Sequence, residues 1–172
     1  MTNDASTAVR SATISCLVEN EAGVLARVIG LFSGRGYNID SLTVAPVDDA
    51  RGQSRINIVT SGTPMVIEQI KAQLDRLVPV YRVADLSRDG EHLERELALV
   101  KVVAAGEILA RAEREANERG ARVVDASSES FVFEVSDTSG NLDLFIAAMR
   151  PLGLSEVSRT GVAAMARGAR VL

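Results

Sequence analysis

From 10 to 18, apolar Ala12, Ile14, Cys16 and Val18 alternate with polar Ser11, Thr13 and Ser15. A period of two puts the sets on opposite faces of a pleated chain, so this stretch reads as a strand with one buried face. The period then changes. Val24, Val28, Leu31 and Phe32, with Leu25 and Ile29 beside them, recur at i, i+4, i+7 and i+8, the stripe of a helix laid on a sheet. Ser33-Gly34-Arg35-Gly36 closes that helix with a glycine where the chain turns left-handed. Gly30, in mid-helix, costs about 1 kcal/mol relative to alanine and suggests close packing of helix on sheet. Strand patterning returns over 37–47 and, after a turn at 48–52, over 55–61, where Ile56 and Ile58 share a face. A second helix starts at Pro64 with Thr63 as its cap. Its stripe, Val66, Ile67, Ile70, Leu74, Leu77 and Val78, runs to Pro79, and 80–86 is a fourth strand. The order β-α-β-β-α-β is the ferredoxin-like arrangement.

The polar stretch 87–92, with Gly90, reads as a linker. The pattern then repeats. An apolar strand ends at 104, a charged helix covers 107–119 before Gly120, and short strands follow at 123–126 and 130–136. A helix opened by Ser139 or Asn141 and a last strand at 154–163 complete it. The fold class is therefore α+β, two ferredoxin-like βαββαβ domains in tandem, expected at 9–87 and 93–172 after a disordered lead-in over 1–8. The halves share little sequence, so the repetition is architectural.

Composition narrows the function. With 47% apolar and 24% charged residues the chain is a folding sequence, and with four Phe, two Tyr and no Trp its core is built from aliphatic side chains. A net charge of −4 without a basic stripe gives no footprint for nucleic acid. No apolar run approaches membrane-spanning length and the N-terminus has no apolar signal region, so a soluble cytoplasmic protein is expected. One cysteine, Cys16, and one histidine, His92, exclude a Cys/His metal site and a disulfide framework. Cys16 falls among the apolar positions and reads as a small core residue.

The inventory for catalysis is thin. With its one histidine in the linker the chain has no triad, and no nucleotide, zinc or thiamine motif is present. Gly34 and Gly36 follow a helix, whereas phosphate-cradling glycines precede one. Glu91, Glu94 and Glu96, and Glu113, Glu115 and Glu118 interleaved with Arg111, Arg114 and Arg119, read as solvated faces. Arg159, Arg167 and Arg170 read as a solvated basic tail.

Binding has better support. A helix N-terminus attracts a carboxylate through its unpaired N–H groups, and Gly23 would let a ligand approach the backbone. Asn20 and Asn38 can both donate and accept, which suits an amino acid's two charged ends. Val24, Leu25 and Ile39 would supply an aliphatic wall. The plainer alternative is that Asn20 caps the helix and Asn38 stabilises a turn. In the common strand order 4-1-3-2 the second strand, with Ile39, Leu42, Val44 and Ala45, lies at a sheet edge. A long apolar edge invites a second copy, and a symmetric dimer would set each copy's Asn38 near its partner's Gly23 turn.

The segment LVENEAGVLARVIGLFSGRGYNIDSLTVAPVDD resembles, nearly position for position, the ACT domain of acetolactate synthase (acetohydroxyacid synthase) small regulatory subunits. The resemblance continues through LDRLVPVYRV, ERELALVKV and TSGNLDLFIAAMRPLGLSEVSRTGVAAMARG, and is weak over 104–120. It implies an ACT domain followed by a second ferredoxin-like domain, without catalytic residues or cofactor of its own. The implied partner is a large catalytic subunit carrying thiamine diphosphate, Mg and FAD, which opens branched-chain amino-acid synthesis. The small subunit is expected to activate it and to confer feedback inhibition by valine. Valine would bind at the ACT homodimer interface, at positions matching Asn20, Gly23 and Asn38, with Val24, Leu25 and Ile39 as walls. An ACT-type amino-acid sensor with another client is the alternative.

Overall fold

The computed structural model describes residues 8–172, so the lead-in expected at the N-terminus lies, but for Ala8, outside the described residues. The chain forms two compact units, one of residues up to Leu93 together with Val162–Leu172, the other of Glu94–Gly161. The expected second domain of 93–172 differs from this division at its end, where the last eleven residues, from Val162 to Leu172, pack with the first unit.

The first unit contains β1 (Arg10–Glu19), α1 (Val24–Arg35), β2 (Ser41–Asp48), β3 (Gln53–Gly62), α2 (Pro64–Leu74) and β4 (Val80–Asp85). Its antiparallel sheet has the order β2-β3-β1-β4. Both helices pack on one face. There Ala12, Ile14, Cys16, Val18, Ile56 and Ile58 meet Val24, Val28 and Phe32 of α1 and Ile67, Ile70 and Leu74 of α2. These are the residues the two periodicities select, and burying such aliphatic side chains stabilises by about 1.5–3 kcal/mol each.

Three local readings change. The second strand starts at Ser41 rather than at 37, because Asn38 Nδ2 bonds to Asp40 Oδ1 and holds the intervening residues in a bend. The second helix ends at Leu74, capped as expected at its start by Thr63, which accepts from Val66 N–H at 3.4 Å. Val78, placed on its apolar stripe, is instead exposed. A methyl group at Gly30 would meet nothing within 4 Å, so this glycine faces open space and not the sheet.

The other face of the sheet is also covered. Thr13 and Ser15, read as the solvent side of the first strand, are 3% and 1% exposed. The segment after residue 161, including β9 (Ala163–Ala166), lies over that face, where Val162 and Ala164 cluster with Leu86, Val59 and Ala84. Polar contacts fix it. Val162 N–H donates to Ser41 Oγ at 2.8 Å, and Val162 C=O accepts from Thr43 Oγ1 at 3.0 Å.

In the second unit, β5 (His92–Val103), α3 (Glu107–Glu118), β6 (Arg122–Ala126), β7 (Ser130–Asp137), α4 (Ser139–Met149) and β8 (Leu154–Arg159) repeat the plan, with strand order β6-β7-β5-β8. Ala98, Val100, Val102 and Phe133 pack against Leu109, Ala112 and Ala116 of α3 and Leu142, Phe145 and Met149 of α4. Thr138, not Ser139 or Asn141, caps α4. The strand expected over 154–163 breaks after Arg159, where Gly161 takes φ 84° and its N–H turns to Glu96.

Candidate functional site

The turn from β1 into α1 is built for an open helix end. Asn20 N–H donates to Gly52 C=O at 2.7 Å, fixing the end of β1 to the β2–β3 turn. Gly23 occupies the N-cap position at φ 91°, ψ −10°, a left-handed conformation that favours glycine. It has no side chain to offer, and no other described side chain caps the helix. Asn20 is thus not the cap. The first intrahelical bond runs from Arg27 N–H to Gly23 C=O at 3.0 Å, leaving the N–H groups of the first turn for a ligand or solvent. No acidic residue in that turn offsets the positive end of the helix dipole. A Cβ on Gly23 would meet nothing within 4 Å, so the space before the helix is free. Arg27 pins the turn from the side, donating to Glu21 Oε1 at 3.0 Å and to Val78 C=O at 3.1 Å.

Asn38 lies beyond the other end of α1. Its C=O accepts from Thr60 Oγ1 at 2.6 Å, and its side chain bonds to Asp40, whose other oxygen accepts from Ser61 Oγ at 2.7 Å. Asn38 does stabilise a turn, yet its side chain is exposed. Twelve helical residues separate the two ends, or about 18 Å of axis. One chain therefore cannot close Asn20, Gly23 and Asn38 around one small molecule.

Of the expected wall residues, Val24 is only 4% exposed and belongs to the core. Leu25 and Ile39 are half-buried and pack against that core from its margin. β2 is an edge strand, pairing only with β3 among the described residues, and Val44 and Val47 are exposed along it.

Elsewhere the reactive inventory is quiet. Burial, with a smaller contribution from the Asp75 charge, pushes the Cys16 thiol up to about 12, so at neutral pH it is a protonated core group. No cluster of three or more His, Cys, Asp or Glu side chains suited to a metal occurs among the described residues, and no helix among them is long and apolar enough to cross a membrane. Glu115 with Arg119, and Glu107 with Arg114, form exposed pairs at 2.8 and 2.9 Å. Arg159 is exposed as expected, whereas Glu96, expected on a solvated face, is buried. Glu96 sits on a strand, is 6% exposed and is held by Arg159. Sixty-three residues separate the pair, and no local pattern signals it.

A ferredoxin-like unit with an open helix end, followed by a second such unit, has the architecture of an ACT domain joined to a further ferredoxin-like domain. The sequence comparisons agree: residues 14–82 match the acetolactate synthase small-subunit-like ACT domain, and 95–168 match the small subunit of acetolactate synthase. The chain is 44% identical over 160 residues to the acetolactate synthase isozyme 3 small subunit of Escherichia coli K12, covering 92% of this chain and 97% of that one. It is 43% identical to a probable acetolactate synthase small subunit of Archaeoglobus fulgidus, covering 91% and 96%. The crystal structure of the Thermotoga maritima small subunit superposes with a TM-score of 0.83 at 32% identity, covering 94% of this chain and 99% of that one. This chain belongs to the acetolactate synthase small-subunit family. It is a regulatory subunit, and its family implies a large catalytic subunit as partner.

Proposed function

We propose that this chain activates the thiamine-diphosphate-dependent large subunit of acetolactate synthase in the cytoplasm and makes it sensitive to valine, with the cofactors (thiamine diphosphate, Mg and FAD) held by that partner. Two copies pair along β2, and each seam site combines one copy's Asn20–Gly23 turn with the other's Asn38. The observation that carries this reading is the uncapped start of α1 at Gly23, with free space before it. The valine carboxylate takes the helix N–H groups, its ammonium takes an asparagine oxygen, and its isopropyl group lies on Leu25 and Ile39. Val24, being buried, supports the turn from beneath.

Regulation needs valine to bind one arrangement of the dimer better than another, since equal affinity for both shifts nothing. A coupling of about 1–3 kcal/mol is the usual scale. The test is reconstitution. Purified chain added to the catalytic subunit should raise its turnover, and valine should lower the raised rate without affecting the catalytic subunit alone. A rate unchanged by the chain would dismiss activation. A raised rate indifferent to valine would dismiss the effector.

A further inference from the structure

A second, separate cavity lies in the first unit, on the face of the sheet opposite the helices. The C-terminal segment roofs it, leaving a space of ≈ 280 Å³ lined by Ser15, Arg55, Leu86, Asp89, Met165 and Arg170. Covering this face has a consequence for its polar groups. Ser15 is 1% exposed, and neither its Oγ nor the buried Nε of Arg55 has a hydrogen-bond partner among the described residues. Buried donors are almost always satisfied, and a guanidinium nitrogen is among the costlier groups to leave without a partner. Two such groups lining one cavity point to a missing acceptor.

Charge and shape specify that acceptor. Arg55 and Arg170 both line the cavity against one acidic side chain, Asp89, which already faces Lys71 at 3.8 Å, and Leu172, the last residue, lies in the lining with them. Arg170 is anchored through Nη1 to Asp89 C=O. The balance favours an anion. The rest of the lining is aliphatic or thioether, from Leu86, Met165 and Ala84, and the volume is at the small end of ligand pockets. A planar oxyanion matches the Nε side of a guanidinium through two parallel bonds.

We propose that this cavity is a second ligand site, distinct from the turn at Gly23, which takes a small aliphatic carboxylate. The carboxylate bonds to Arg55 and to Ser15 Oγ, and its hydrocarbon body lies on Leu86 and Met165. Because the C-terminal segment forms the roof, occupancy holds that segment on the sheet.

The experiment titrates the full chain with sodium isovalerate, using calorimetry and amide chemical shifts. Binding with shifts at Ser15, Arg55 and Ala166, and none at Gly23, is expected. Arg55→Gln and Ala84→Leu, one removing the charge and the other filling the space, should each weaken binding by about tenfold or more, while valine affinity is unchanged. Absence of binding up to about 10 mM, or shifts confined to the Gly23 turn, would overturn the proposal, and neither outcome depends on a variant folding. Inorganic phosphate binding as tightly as isovalerate would overturn the aliphatic part of the assignment.

Discussion

Arg159 grips Glu96 at two points, Nη2 lying 2.6 Å from Oε2 and Nε 2.9 Å from Oε1. Ser139 Oγ and the Gly161 N–H donate to the same carboxylate at 2.9 and 3.2 Å. One buried group thereby ties β5 to the end of β8 and the start of α4. Arg159 is itself exposed and also pairs with Asp143, and Glu96 keeps its bonds from Ser139 and the Gly161 N–H, so losing the guanidinium costs about 1–3 kcal/mol. Arg159→Met should therefore destabilise by about that amount in chemical denaturation, whereas the double variant with Glu96→Met should recover part of the loss. A double variant no more stable than Arg159→Met would contradict this account.

The same carboxylate sets an acid limit. Burial by itself would raise the Glu96 pKa, but the Arg159 hydrogen bonds, then those of Ser139 and the Gly161 N–H, hold it below its ordinary value of 4.5. A carboxyl depressed in the folded state contributes stability that is complete above the unfolded value and is lost as pH falls through the folded one. The unfolding free energy should therefore decline below about pH 4.5. In Glu96→Gln, less stable at neutral pH, that decline should be shallower. Denaturant midpoints measured from pH 3 to 7 provide the check; parallel curves would exclude Glu96 as a contributor.

The core of the first unit is legible because local periodicity selects it, whereas Leu109, Ala112 and Ala116 lie within a helix that reads only as charged. Ala12, Ile14, Cys16 and Val18 fall inside for the same reason that Val28 and Phe32 do, namely that each element must bury one apolar face. Edge placement of β2 also followed, from strand order. What local pattern cannot carry is pairing at a distance. Thr13 and Ser15 look solvent-facing because nothing in their neighbourhood announces a segment far along the chain, at Val162 and beyond, that covers them. Arg159 looked free for the same reason. At the candidate site the sequence picked out the glycine turn, but it placed Val24 in the wall when the helix turns it into the core.

Gly23→Asp tests the helix end. Its Cβ has room, but φ 91° disfavours a side chain, so a stability loss of about 1 kcal/mol is expected. The added carboxylate would occupy the space assigned to valine's own and compete for the same N–H groups. Activation of the catalytic subunit should persist and inhibition by valine should vanish. Gly23→Asn carries comparable backbone strain without the charge and should retain partial sensitivity. An Asp variant fully inhibited by valine would remove this turn from the site.

Asn38→Ala tests whether the site is shared between copies. Because α1 holds Asn38 about 18 Å from the Gly23 end of its own chain, loss of valine affinity in this variant requires the residue to act in trans. A weakening of roughly tenfold, about 1.4 kcal/mol, is the size of a lost hydrogen bond to a charged group. Mixing Asn38→Ala with Gly23→Asp subunits should then restore one intact site per mixed dimer, since each defect falls on a different side of the seam. With random reassociation half of the dimers are mixed, so calorimetry showing restored sites in about one quarter of the protomers would support this arrangement; no recovery would contradict the shared seam.

The seam itself is tested at Val44. This residue pairs with Ile56 of β3, is 45% exposed, and lies on the edge strand whose outer side has no partner among the described residues. Two copies joined along β2 about a two-fold axis bring identical strands together, so a charge introduced at Val44 enters the seam twice, once from each copy. Like charges opposed across paired strands destabilise, and a carboxylate also loses the apolar contact that valine supplies. Val44→Glu should shift the protein from dimer toward monomer in sedimentation velocity, with circular dichroism unchanged because the side chain is peripheral to the core. Valine sensitivity should fall with dimer content, recovering at protein concentrations that restore association. A variant that sediments as a dimer and keeps its valine response would place the seam elsewhere on the first unit.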